Sequence, residues 1–171
     1  PPPPILVKLL KFDFLIYMII IKIKRGVIMK KIAIDLDGVI FDTENMYRVL
    51  AEIYDVDILN GDNVKDNKEK MPKDRYSWSQ DTCTHFYNKH VDKAMKESNV
   101  MTGANIVIPK LKEKYEVIIV TARTEYEMNI TEKRLKEAKI DDIQIFYNQK
   151  DKNDILIKEN VDYLIDDDPN I

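Results

Sequence analysis

Cysteine occurs once in the 171 residues, as Cys83, and histidine twice. A lone cysteine closes no disulfide within the chain, and with two histidines it leaves few ligands for a structural zinc site. A reducing, cytoplasmic setting is the expectation. Basic charge is not in excess either: 27 Lys plus Arg face 30 Asp plus Glu, a formal charge of −3. Proteins that bind a nucleic-acid polymer displace counterions from phosphates with a surplus of Lys and Arg, and this chain has none. Long apolar runs are missing as well. The longest, Phe14 to Ile21, falls far short of the roughly 20 residues of a membrane-spanning helix. Lys22, Lys24 and Arg25 follow that run rather than precede it, the wrong order for a secretory signal. Neither a nucleic-acid polymer nor a membrane is an expected partner.

Residues 1–28 read differently from the rest. Met29-Lys30-Lys31-Ile32-Ala33-Ile34-Asp35 resembles the start of a protein whose first strand begins at once. A purine-rich stretch, as in a bacterial ribosome-binding site, can encode Lys24-Arg25-Gly26. The expectation is that 1–28 is upstream-translated sequence; an added edge strand or interfacial segment is the alternative. Without it the chain loses five basic residues (Lys8, Lys11, Lys22, Lys24, Arg25) and one acidic (Asp13), leaving 22 against 29 and a charge of −7. The sequence stops at Ile171 just after an acidic cluster, which suggests a fragment cut at its C-terminus.

From Met29 onward, four short runs rich in Ile, Val and Leu stand out: 31–36, 117–120, 143–146 and 163–165. Near-continuous apolar strands of this kind suit a parallel sheet covered on both faces. Helical spacing between the later runs (Met128, Ile130, Leu135, Ala138; then Ile155 to Ile157) predicts an α/β, doubly wound parallel sheet. The first crossover is longer. Thr43 is the expected cap of a helix with an apolar stripe at Met46, Val49, Leu50 and Ile53, and Asn60 to Lys73 reads as polar loop. Ser79 is the expected cap of a second helix with Cys83, Phe86, Tyr87, His90, Val91, Ala94 and Met95 on one face. A third helix around Ala104 to Leu111 requires Pro109 near its first turn. The organisation expected is a core of 29–43 and 101–171 with a small helical cap, 44–100, inserted after the first strand.

Open parallel sheets bind ligands beyond the carboxyl ends of their strands. The first run ends in Asp35-Leu36-Asp37-Gly38-Val39 and the second in Thr121-Ala122-Arg123; Asp151-Lys152 follows the third, and Asp166-Asp167-Asp168 ends the fourth. Gathering Asp35, Asp37 and Asp166 at one rim crowds like charges, which calls for an offsetting cation. Mg²⁺ is such an ion, hard and oxygen-seeking, and it retains waters and a substrate phosphate. Beside it and a lysine, one carboxylate stays ionised and can attack phosphorus. A second, two residues on, can pass a proton to the leaving oxygen. Gly38 permits the tight turn that aims both.

With these four motifs in this order, the chain from Met29 to its end resembles the haloacid dehalogenase superfamily. The resemblance implies an Mg²⁺-dependent phosphomonoester hydrolase with Asp35 as nucleophile and Asp37 as general acid and base. Thr121 and Lys152 would hold the phosphoryl oxygens, and Asp166 with Asp167 would anchor Mg²⁺. The backbone carbonyl of Asp37 is a further implied metal ligand. Asp-Leu-Asp-Gly-Val-Ile-Phe-Asp, Val-Thr-Ala-Arg, Leu-Ile-Asp-Asp-Asp-Pro and the helical insertion resemble the 5′(3′)-deoxyribonucleotidase and bacterial nucleotidase-like group, implying a nucleoside monophosphate or another small phosphate ester as substrate. Lys152 fits the lysine position, with Lys150 as fallback.

Several residues have two readings. Thr121 either meets phosphate or caps the following helix. Arg123, grouped with Thr121, Ala122 and Lys152 as substrate-binding, either contacts phosphate or serves structure. Tyr76 and Trp78 either stack on a base or fill the cap core beside Phe86 and Tyr87. His85 and His90 lack ligand-spaced partners and read as cap-packing or surface residues. A phospho-receiver module also combines acidic residues, Thr and Lys, but its acidic pair lies on the first strand, whereas the cluster here comes last. A non-catalytic phosphate-binding domain is the remaining alternative.

Overall fold

The computed structural model describes residues 29–69 and 71–168; the expectations for 1–28 and for the last three residues lie outside them. Four strands, β1 (Lys31–Ile34), β2 (Glu116–Val120), β3 (Gln144–Phe146) and β4 (Tyr163–Ile165), form one sheet in the order β3-β2-β1-β4. All pairings are parallel, with Ile32 opposite Val117 on one side of β1 and Tyr163 on the other. In β1 and β2 consecutive apolar side chains are buried, because both faces are covered. One core cluster joins Ile32, Ile34, Val117 and Ile119 to Leu135 and Ile140; the opposite face joins Ala33, Ile118 and Val120 to Ile155. The doubly wound sheet expected from the apolar runs is present.

Between β1 and β2 lie four helices: α1 (Thr43–Leu59), the short α2 (Pro72–Arg75), α3 (Gln80–Glu97) and α4 (Ala104–Lys112). Helix α5 (Met128–Glu137) follows β2, and α6 (Asn153–Lys158) precedes β4. The capping residue of α1 is Asp42 rather than Thr43: its Oδ1 accepts from the Asn45 amide at 3.3 Å. Ser79 caps α3 as its sequence position suggests, accepting from the Thr82 amide at 3.1 Å. The buried face of α1 keeps Met46 and Leu50 of the expected stripe but is rotated away from Val49 and Ile53. Leu50, Ala51 and Tyr54 are buried while Val49 and Ile53 are exposed, because the partner of α1 is Phe86 and Ala94 of α3. Pro109 sits in the middle of α4, not in its first turn. The carbonyl that its missing N–H would have met belongs to Asn105, an exposed residue that water can satisfy.

The 60–73 segment is less free than its composition suggests. Asp55, buried in α1, accepts from the Asn63 side chain at 2.9 Å and from Trp78 Nε1 at 2.7 Å. Buried Arg75 donates to the carbonyl and side chain of Asn67 at 2.7 and 2.8 Å. These bonds pin the segment against the helices at both ends. Among the described residues no helix is long and apolar enough to cross a membrane.

Candidate active site

The rim where β1, β2 and β4 end is built by a tight turn after β1. The amides of Ile40 and Phe41 both donate to the Leu36 carbonyl, at 2.9 and 2.8 Å, and Gly38 N–H donates to Phe41 at 2.8 Å. That turn places Asp35 at the strand end and Asp37 beside it. The amide of Asp35 donates to Ile165 at 2.9 Å, so the last residue of β4 delivers Asp166 directly alongside. Oxygens of Asp35, Asp166 and Asp167 all lie within 4.8 Å of one another.

Lys152, buried at the start of α6, bridges two of them: its Nζ lies 2.8 Å from Asp35 Oδ1 and 2.5 Å from Asp166 Oδ2. Lys150 lines the same cavity but is exposed. Burial works against the Lys152 charge, yet its bonds to Asp166 and Asp35 outweigh this and raise its proton affinity. The burial cost falls on Asp35, whose carboxyl is pushed from 3.8 up to about 6 while Lys152 opposes the rise. Crowded carboxylates with only oxygen donors suit a hard divalent cation rather than a soft one. The residues present therefore fit Mg²⁺.

Thr121 directly follows β2 and is almost fully buried. Its Oγ1 accepts from the Arg123 amide at 3.1 Å, which leaves the hydroxyl proton available to an oxyanion in the cavity. It caps no helix; Thr124 caps the 3-10 turn Glu125–Glu127 that leads into α5, through a capping box with Glu127. The cavity has a volume of about 860 Å³ and is open to solvent. Asp35, Asp37, Thr121, Ala122, Lys152, Asp166 and Asp167 line its floor, and Tyr47, Met71 and Met95 contribute apolar wall.

Three candidates are not brought to this cavity. Tyr76 is fully buried and stacked on Trp78, with ring centres 4.4 Å apart, inside an aromatic cluster of the helices between β1 and β2. The Trp78 indole N–H is taken by Asp55. Their base-stacking reading gives way to the packing one, since ring area is worth most where it is removed from water. Arg123, expected as a substrate ligand, is buried and points at Asp37, with Nη2 to Oδ1 at 2.7 Å and Nε to Oδ2 at 2.9 Å. It is not among the residues lining the cavity.

No protein-family model matches the chain, and no curated protein does. Solved structures do match. A haloacid dehalogenase-like family hydrolase of Streptococcus pneumoniae superposes with a TM-score of 0.55 at 15% identity, covering 80% of this chain and 73% of its own. A predicted phosphatase of Clostridium acetobutylicum gives 0.53 at 16%, covering 81% and 76%. For a subfamily IA hydrolase of the same superfamily from Geobacter sulfurreducens the values are 0.51, 12%, 82% and 79%. The fold is haloacid dehalogenase-like. At these identities the likeness concerns the fold, and the haloacid dehalogenase-like framework is what brings the four strand ends to one rim.

Sequence reasoning missed the cavity wall. Tyr47 and Met95 come from α1 and α3; Met95 belongs to the expected buried face of α3 and Tyr47 lies outside the expected stripe of α1, and nothing in a single sequence says which end of a helix overhangs the sheet. Burial pushes the Tyr47 hydroxyl up to about 12, with the Asp37 charge adding to the rise, so it stays a neutral donor across the working pH range.

Two outcomes follow from this geometry. Gly38 has φ +83°, and an added Cβ would lie against the Asp167 carboxylate, well inside contact distance. Gly38→Ala is expected to destabilise the protein by about 1–3 kcal/mol through the left-handed backbone alone and to displace Asp167. Urea melts check the first effect, and a weakened Mg²⁺ response checks the second. The raised Asp35 carboxyl has a consequence in metal-free protein. The folded chain binds that proton more tightly than the unfolded chain, so stability is greatest below about pH 4 as far as this group is concerned. It is lost as pH rises to about 6, by roughly 2–3 kcal/mol. The difference between wild type and Asp35→Asn in urea melts with EDTA isolates it. A difference that is flat between pH 4 and 7 excludes the burial cost.

Proposed function

We propose that the chain is an Mg²⁺-dependent phosphomonoester hydrolase acting on a small phosphate ester, with nucleoside monophosphates as the first substrate class. The observation that carries this reading is the convergence of Asp35, Lys152, Asp166 and Asp167 at one rim, with Asp37 on the adjoining turn. Asp35 attacks phosphorus as the ester P–O bond breaks, and the leaving oxygen takes the proton of Asp37. Water then attacks the phosphoryl group on Asp35 and gives a proton back to Asp37, which restores both carboxyl groups. Lys152 and the Thr121 hydroxyl hold the phosphoryl oxygens, with Ala122 beside them. Asp35, Asp166 and Asp167 would hold the ion by their carboxylates and Asp37 by its backbone carbonyl. When bound, the ion offsets the phosphate charge that would otherwise repel the carboxylate nucleophile.

The nucleotide preference draws on the apolar wall of Tyr47, Met71 and Met95, which suits the flat face of a base in the leaving group. Cytoplasmic residence belongs to the same reading, since the lone cysteine is buried in the cap. The test is phosphate release with Mg²⁺ from 4-nitrophenyl phosphate, a panel of ribo- and deoxyribonucleoside monophosphates, and sugar phosphates. Release from sugar phosphates but not nucleotides removes the nucleotide preference. No release from any ester removes the hydrolase.

A further inference from the structure

We propose that Arg123 is a positioning residue: its buried guanidinium fixes the direction in which the Asp37 carboxylate faces the cavity. This rests on the reading of Asp37 as acid and base. The pair is asymmetric. The Arg123 side chain is 2% exposed and that of Asp37 37%, so the cation is the anchor and the carboxylate the working end. The anchor is held from several sides. Nη1 donates to Thr131 Oγ1 at 2.9 Å, on a fully buried residue of α5, and the guanidinium carbon lies 5.5 Å from the centre of the Phe41 ring. Its backbone is tied as well, the amide to Thr121 Oγ1 at 3.1 Å and the carbonyl to the Asn148 amide at 2.8 Å.

Asp37 needs such a device. It follows the strand rather than belonging to it, on the turn closed by Gly38, and a side chain 37% exposed is not fixed by packing as a core fixes an aliphatic chain. A planar fork meeting both oxygens sets the plane of the carboxylate as well as its place, which a point-charge ammonium cannot do. Each carboxylate oxygen keeps its other lone-pair direction for a proton in transit.

Positioning of an acid has a kinetic signature that a purely structural role lacks. An alkoxide leaves only with a proton, whereas 4-nitrophenolate leaves without one. Arg123→Lys is expected to lower kcat on glycerol 2-phosphate at least about tenfold more than on 4-nitrophenyl phosphate, with KM for both changed less than threefold. Thr131→Val, which removes the anchor bond but keeps the charge, should move the same ratio in the same direction by a smaller factor. It also serves if Arg123→Lys folds poorly in thermal melts. In an Asp37→Asn background, Arg123→Lys should cost nothing further. Equal losses on both esters, a loss confined to KM, or full additivity with Asp37→Asn would overturn the assignment while leaving an active wild type as a hydrolase. A wild type inert on both esters removes the hydrolase reading and this inference together.

Discussion

Asp35→Asn is expected to lose turnover by on the order of 10⁴-fold or more on every phosphate ester, with fold and cavity intact. The size follows from what the substitution removes. Neither Thr121 nor Lys152 can form the bond to phosphorus, and binding and electrostatic stabilisation without the nucleophile leave only a small residual rate. The amide is nearly isosteric and still accepts from Lys152. Gel filtration, circular dichroism and a melt in EDTA should therefore match wild type or improve on it at neutral pH, because a carboxylate that burial disfavours has been neutralised. Acid-quench trapping of ³²P-labelled enzyme should label wild type and not the variant. Retained activity with retained labelling at another residue would move the nucleophile elsewhere.

Withdrawal of Mg²⁺ is the second large effect. Chelation is expected to bring turnover to background and readdition to restore it, because in the proposed mechanism the ion offsets the phosphate charge that would otherwise repel the carboxylate nucleophile. A readout independent of activity accompanies it. An ion that binds only the folded chain stabilises it by about 2.7 kcal/mol at a free concentration of 100 Kd. For a chain of this size that is a rise in Tm of roughly 5–10 °C. Asp166→Asn takes away one of the three carboxylates and should abolish most of the shift. If Mg²⁺ shifts the Tm of that variant as much as wild type, the ion binds elsewhere.

The two experiments divide the site into its parts. In the proposed mechanism Asp35 supplies the bond, and it is expected to tolerate neutralisation without loss of fold. Lys152 and the proposed ion share the task of holding carboxylates together that would otherwise repel. Lys152 reaches Asp35 and Asp166, so even metal-free protein keeps a preformed rim, and the ion completes rather than creates it.

Much of this architecture was legible before any coordinates. Strands buried on both faces announce themselves as continuous Ile, Val and Leu, and residues at their carboxyl ends must share one edge if the sheet is parallel. Asp35, Thr121, Lys152 and Asp166 could therefore be grouped although they are up to 131 positions apart. What escaped were features set by rotation and reach. On α1 the expected stripe through Met46, Val49, Leu50 and Ile53 and the buried one through Met46, Leu50, Ala51 and Tyr54 differ by a small rotation within the same helical period, and Phe86 and Ala94 on α3 chose between them. Asp55, one of three acids between Glu52 and Asp57 on α1, carried no mark of the hydrogen bonds it collects from Asn63 and Trp78.

The sequence by itself determined the layer order, the rim and the chemical types assembled there, because the period and polarity of a strand follow from backbone geometry alone. Tertiary structure decided where the long side chains point. Arg123 turned to Asp37 rather than into the cavity, Tyr76 and Trp78 turned inward to the aromatic cluster between β1 and β2, and Tyr47 and Met95 turned over the rim. The physical reason is the same in each case. A flexible or aromatic side chain goes where a partner removes it from water, and that partner is supplied by a segment distant in the chain whose approach no local pattern encodes.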